Sequence, residues 1–163
     1  MGQHMSSAKF KTMRHIETVR NYLNICIKEI LERQETHDQT KLESPELEIF
    51  EMYTKKLRKC TYGSDTYKQY LKEMDPALQH HYAHGRHHPE HFPGGVGDMT
   101  LIDVLEMLCD WKSSSMRHND GNILKSIEIN TTRFNMEPQL VAILKNTAKW
   151  LDDLQVQHKA QES

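Results

Sequence analysis

Glycine, proline and cysteine are all scarce in this chain. The 163 residues hold seven glycines, five prolines and three cysteines. So little glycine and proline leaves few turns to spend on a many-stranded sheet or a disordered linker. Cys26, Cys60 and Cys109 are odd in number, far apart and set in apolar helical contexts. They read as buried free thiols of a reducing compartment, not as disulfides or a cysteine zinc site. No apolar run approaches the roughly 20 residues that span a bilayer, and there is no signal-peptide core, so no membrane role and a cytoplasmic location are expected. An excess of one charge is missing too. Lys and Arg number 21 against 23 Asp and Glu, a formal net charge of −2, so no basic field argues for nucleic acid. Met1-Gly2-Gln3-His4-Met5 reads as a cloning remnant before a second start. His4 is therefore not counted as a ligand, and residues 6–163 are taken as a single domain.

What the chain does have is helical periodicity. Ile16, Val19, Leu23, Ile27, Ile30 and Leu31 form one stripe of a long first helix, about residues 7–33. A link over residues 34–42 follows. Ser44-Pro45-Glu46 suggests a helix start, with Ser44 as cap, and this helix ends before Tyr62-Gly63. Ser64 or Asp65 opens a third, to about Met74, and Asp75-Pro76 a fourth, which Pro89 ends or restarts. Residues 92–97, with three glycines, form a loop. Thr100 with Asp103 resembles a capping box for a helix to about Met116. After Asn119-Asp120-Gly121 come a helix with Ile123, Ile127 and Ile129 and a last one from Pro138. The expected fold is all-α, one bundle of about six or seven helices.

The chain is also rich in histidine. It has eleven, and six crowd into residues 80–91, as His80, His81, His84, His87, His88 and His91. Imidazole and carboxylate are the ligands of borderline transition metals. His37 and Asp38 are adjacent, and neighbouring side chains at a helix end diverge by about 100°, enough to embrace one ion. His15 lies on or near the Ile16/Val19/Leu23 face and is expected to point inward. Asp110 lies one turn beyond Glu106 on its helix. His80, His84 and His88 share a helical face at i, i+4 steps, and His84, His87, His88 and His91 fall on overlapping faces. Two or three of the cluster can join one centre, the rest supporting it or facing solvent; a plain surface patch of histidines is the alternative. Lys41 can contact a phosphate oxygen held at such a metal.

The order His15, His37-Asp38-Gln39-Thr40-Lys41, histidine cluster, Asp110 resembles the HD-domain metal-dependent phosphohydrolase superfamily. The set His-Asp-x-Thr-Lys, Ser-Pro-Glu, His-His-Pro-Glu-His and Glu106-Met107-x-x-Asp110-Trp111 is similar, more closely, to a family of small phage and bacterial HD-like proteins. The resemblance spans roughly residues 13–111 and implies an HD-like helical core. It implies one or two divalent ions (Mn, Co, Ni, Zn, Mg or Fe) held by His15, His37, Asp38 and Asp110, with His84 and His88 for a second ion. Lys41 and His87 or His91 would then balance charge on the phosphoryl group and protonate the leaving group. The implied substrate is a small phosphorylated molecule, a nucleotide or deoxynucleotide, in the cytoplasm of a bacterium or a phage-infected host, with a homodimer as one assembly. Two other readings stand beside it. One is an HD-fold di-iron oxygenase. The other is a non-enzymatic, phage-type helical partner-binding protein with a structural metal.

Overall fold

The computed structural model describes residues 7–60, 64–116 and 121–161, with side chains to residue 157. Tyr62, Gly63, Asn119 and Asp120, read above as helix ends and turns, lie outside the described residues. The chain divides into two compact units, Met1–His37 and Asp38–Ser163. All regular structure in the described residues is helical: α1 (Ser7–Thr36), α2 (Glu46–Leu57), α3 (Asp65–Glu73), α4 (Asp75–His84), α5 (Leu101–Ser115), α6 (Ile123–Arg133) and α7 (Pro138–Gln161). Short 3-10 turns sit at Gln39–Leu42, Pro89–His91 and Gly95–Asp98. The all-α architecture of about seven helices is thus as expected. No described helix is long and apolar enough to cross a membrane.

The first unit is a single 30-residue helix, α1, none of whose residues is buried. His15, expected to point inward, is exposed.

In the second unit, α2, α3 and α4 pack on one another, as do α5, α6 and α7. The second group holds the apolar core: Leu108, Ile123, Ile127, Met136, Leu144 and Ala148, with Trp111 and Phe134 packed against it. Helical spacing of apolar residues builds that core, and capping fixes where its helices start. Thr100 Oγ1 accepts from the Asp103 main chain and Asp103 reciprocates toward Thr100, the expected capping box. Asp103 is itself fully buried and forms a two-point ion pair with Arg86, 3.0 Å at each contact. That pair fixes α5 against the start of the α4–α5 connection.

Three local expectations need correcting. Helix α2 is preceded by Pro45, and no side chain caps it, so Ser44 is not the cap. Helix α4 ends at His84, not at Pro89, because Gly85 turns extended (φ −91°, ψ 96°). The three cysteines are free as expected, but Cys26 and Cys109 are exposed and not buried. Glycine is required at position 95, whose φ is +61°. At position 94 a Cβ would meet the Asp98 carboxylate at 2.6 Å.

Candidate metal centre

The early end of α4 decides which histidines meet. Beyond Gly85 the chain leaves the helical path, so the i, i+4 face through His80, His84 and His88 does not persist. His81, from the last turn of α4, instead faces His87 and His88, which follow the turn. One ring nitrogen from each of His81, His87 and His88 lies within 4.8 Å of the other two. His81 Nε2 and His88 Nε2 are 2.8 Å apart. Two imidazole nitrogens that close need a proton or a cation between them.

Asp38 brings the carboxylate. Its Oδ1 lies 3.3 Å from His81 Nε2 and 3.5 Å from His87 Nε2. Its backbone is left-handed, φ 58° and ψ 13°, a conformation that Asp and Asn tolerate better than other side chains. Lys41 Nζ holds the other carboxylate oxygen at 2.7 Å. A carboxylate oxygen of Asp110, on α5, lies within 4.8 Å of one from Asp38.

Behind the imidazoles stand two further acids. Glu46, at 0 % exposure, places Oε2 3.0 Å from His81 Nδ1 and Oε1 2.7 Å from His80 Nδ1. Glu106 Oε1 lies 3.2 Å from His87 Nδ1. A carboxylate that accepts from Nδ1–H fixes the tautomer, on this assignment of the protons, and turns an Nε2 lone pair away from itself. In His81 and His87 alike, Nε2 then faces the Asp38 carboxylate. Carboxylate–histidine pairs aimed at one point are what a bound divalent cation requires, and the imidazole and carboxylate donors suit borderline transition ions.

The buried groups shift one another's titration. Burial, with His87 and His81 beside it, holds the His88 pKa down at about 2. Burial and the Lys41 charge lower His81 as well. Burial pulls His87 down too, but its hydrogen bonds to Asp38 and Glu106 win and raise it to about 9.

Of the residues chosen from sequence, Asp38, Lys41, His87, His88 and Asp110 gather here. His87 sits among the converging nitrogens and not beside them as a separate acid. His37 directly precedes Asp38 and donates its main-chain N–H to the Arg33 carbonyl at 2.8 Å. His15 stands apart. It is 21 residues before Thr36, the end of one continuous helix, about 32 Å along the axis at 1.5 Å per residue, so it cannot share an ion with His37, which follows directly. His84 is exposed, bonded to the His80 carbonyl and stacked on the His80 ring, so it is not part of the cluster. His91 Nδ1 bonds the Tyr82 carbonyl at 2.9 Å, which ties it to the backbone. Sequence reasoning missed His81, the buried Glu46 and the half-buried Glu106 as partners. Glu46 was legible only as a helix-start acid, and its distance from His81 in sequence hid the pairing.

Beside the cluster is a cleft of about 300 Å³. His88 and Asp110 line one part, and Trp111, Phe134, Asn130 and Arg133 line others. The Arg133 guanidinium pairs with Glu90 at 2.6 Å and lies over the Phe134 ring.

No curated protein and no solved structure matches the chain. A family model described as a family of unknown function (DUF5662) matches residues 4–150, and the chain belongs to that family.

Proposed function

We propose that this protein is a metal-dependent phosphohydrolase acting on a nucleotide or deoxynucleotide. The observation that carries the metal is the convergence of His81, His87 and His88 on the Asp38 carboxylate, with Glu46 and Glu106 behind two of the rings. Those four residues would hold a divalent ion. Asp110 is near enough to Asp38 to join them or to serve a second ion, and His37 is the chain neighbour of Asp38. A bound ion supplies Lewis acidity and lowers the pKa of a coordinated water toward neutrality.

The protein's own groups do the rest. Glu46 and Glu106 fix the ring orientations in advance, so little reorganisation is left for binding. Lys41 holds Asp38 in place and offers a cation to a phosphoryl oxygen. The cleft next to His88 and Asp110 receives the substrate. Trp111 and Phe134 form its apolar wall, Asn130 offers an amide, and Arg133 offers positive charge once Glu90 releases it. A cleft with apolar walls and a few convergent polar groups suits a nucleotide-sized ligand.

The test is a phosphate-release screen over nucleoside mono-, di- and triphosphates with chelator-stripped and metal-reloaded protein. Expected is metal-dependent release from at least one nucleotide, abolished in His81→Ala. A protein that binds no divalent metal, or one that carries iron and turns over only with oxygen, would refute the proposal.

A further inference from the structure

Helix α1 carries more apolar surface than a solvated helix needs. Ile16 is 44 % exposed, Leu23 56 %, Ile27 54 % and Leu31 55 %. The apolar positions follow a heptad. Met13 and Ile27 occupy a positions, Ile16, Leu23 and Ile30 occupy d, and Phe10, Val19, Cys26 and Leu31 flank them at e and g. The seam has two polar a positions, Arg20 and Gln34.

Charge on the helix is unevenly spread. Residues 7–20 carry Lys9, Lys11, Arg14 and Arg20 against Glu17, a net +3. Residues 21–36 carry Glu29, Glu32 and Glu35 against Lys28 and Arg33, a net −1. Two copies side by side in parallel would set the basic half on the basic half. Reversed, each basic half meets the other copy's acidic half.

We propose that α1 pairs with α1 of a second copy of this chain as an antiparallel two-helix coil. One register matches most of the seam. Ile16 faces Ile27 of the other copy, Met13 faces Ile30, and Arg20 faces Leu23. Gln34 faces Lys9, both polar, at the ends of the seam. In the same register Phe10 lies beside Leu31 and Val19 beside Cys26 across the interface. A 30-residue helix is about 45 Å long, so the seam has room for four heptads, enough for a sustained coil.

The experiment uses the full chain. Sedimentation equilibrium should give a dimer at micromolar concentration, and Leu23→Lys with Ile27→Lys together should give a monomer with unchanged helical circular dichroism. Orientation is read by cross-linking in a background with Cys26→Ser, Cys60→Ser and Cys109→Ser, which leaves no native thiol to compete. Ile16→Cys and Ile27→Cys chains, mixed and oxidised, should form a mixed disulfide dimer in much higher yield than either forms alone. Within one helix these positions are about 16 Å apart, beyond the reach of a disulfide, so the product reports a contact between copies. A wild-type monomer up to 200 µM would overturn the pairing, since the stripe would then be covered within one chain or not at all. A dimer in which Ile27→Cys links only to itself would overturn the antiparallel arrangement.

Discussion

Replacing Glu46 by Gln tests the candidate centre without touching any of its converging atoms. The wild-type carboxylate is completely buried: Oε1 accepts from His80 Nδ1 at 2.7 Å, and Oε2 lies 3.0 Å from His81 Nδ1 with no hydrogen bond of its own. Glutamine is nearly isosteric but carries an amide NH2 in place of one oxygen, so that NH2 must face one of the two Nδ1 atoms. If that atom belongs to His81, its ring shifts its proton to Nε2, the atom turned toward Asp38 and His88, and the lone pair there is lost. Changes to such supporting carboxylates typically weaken a metal about ten- to a hundredfold, or about 1.4–2.7 kcal/mol. If the ring keeps its Nδ1 proton instead, the metal-free protein should lose about 1–3 kcal/mol, the cost of one unsatisfied buried donor. The assay is calorimetric titration of chelator-stripped protein with Zn²⁺ or Mn²⁺, alongside a urea melt. His80→Ala is the control, because it removes the other partner of Glu46 and leaves His81 alone. Its effect on affinity should be under about threefold. A folded Glu46→Gln variant with wild-type affinity would refute the claim that Glu46 orients His81.

Metal affinity should rise about tenfold per pH unit between roughly pH 6.5 and 9, because the proton on His87, whose pKa is raised to about 9, must leave for an ion to bind; calorimetry in buffers of different ionisation enthalpy should count about one proton released. Without metal the sign for His87 is reversed: its stabilising contribution is fully present below pH 6.5 and is lost as the pH rises through about 9. His88 and His81 act oppositely, because their folded pKa values are depressed and the unfolded chain takes up protons below pH 6.5 that the folded one refuses. Thermal melts of the chelated protein should therefore be highest near pH 6.5, and a monotonic profile from pH 4 to 10 would contradict these assignments. Arg86→Ala should cost about 2 kcal/mol in a urea melt, since it leaves the buried Asp103 carboxylate short of two charged donors. His84→Ala should leave metal content and stability unchanged within error; loss of an ion would put His84 back among the ligands. Leu144→Ala, in the core, should cost about 2–5 kcal/mol.

Helices were legible because their signals are local. The Thr100–Asp103 box, the Ser64 cap (which accepts from the Tyr67 main chain) and the apolar spacing of α5 to α7 each sit within a few residues. The site was legible in residue type but not in partnership. Asp38, His87, His88 and Asp110 stand out as ligand-type residues in a suggestive order. Which histidines of the run converge depends on where α4 stops, and Gly85 stops it one turn earlier than Pro89 would. That shift exchanges His84 for His81. Glu46 and Glu106 were hidden for another reason. Each looks like an ordinary helix carboxylate until packing brings a ring nitrogen from a distant segment against it. His15 misled because order along a chain says nothing of distance along a continuous helix.

The Arg86–Asp103 pair also works as a clasp. It joins the ends of an 18-residue segment that contains His87 and His88, so the two imidazoles sit just inside the neck of a closed loop. Closing a loop of this length costs chain entropy whatever ties it. The clasp meets that cost before any ligand arrives. Anything that bridges His81 to His87 or His88 ties the same segment a second time, and two ties on one loop reinforce each other. Loosening the clasp should therefore weaken a ligand at the cluster without removing a contact to it. By reciprocity, a ligand there should restore part of the stability lost when the clasp is cut.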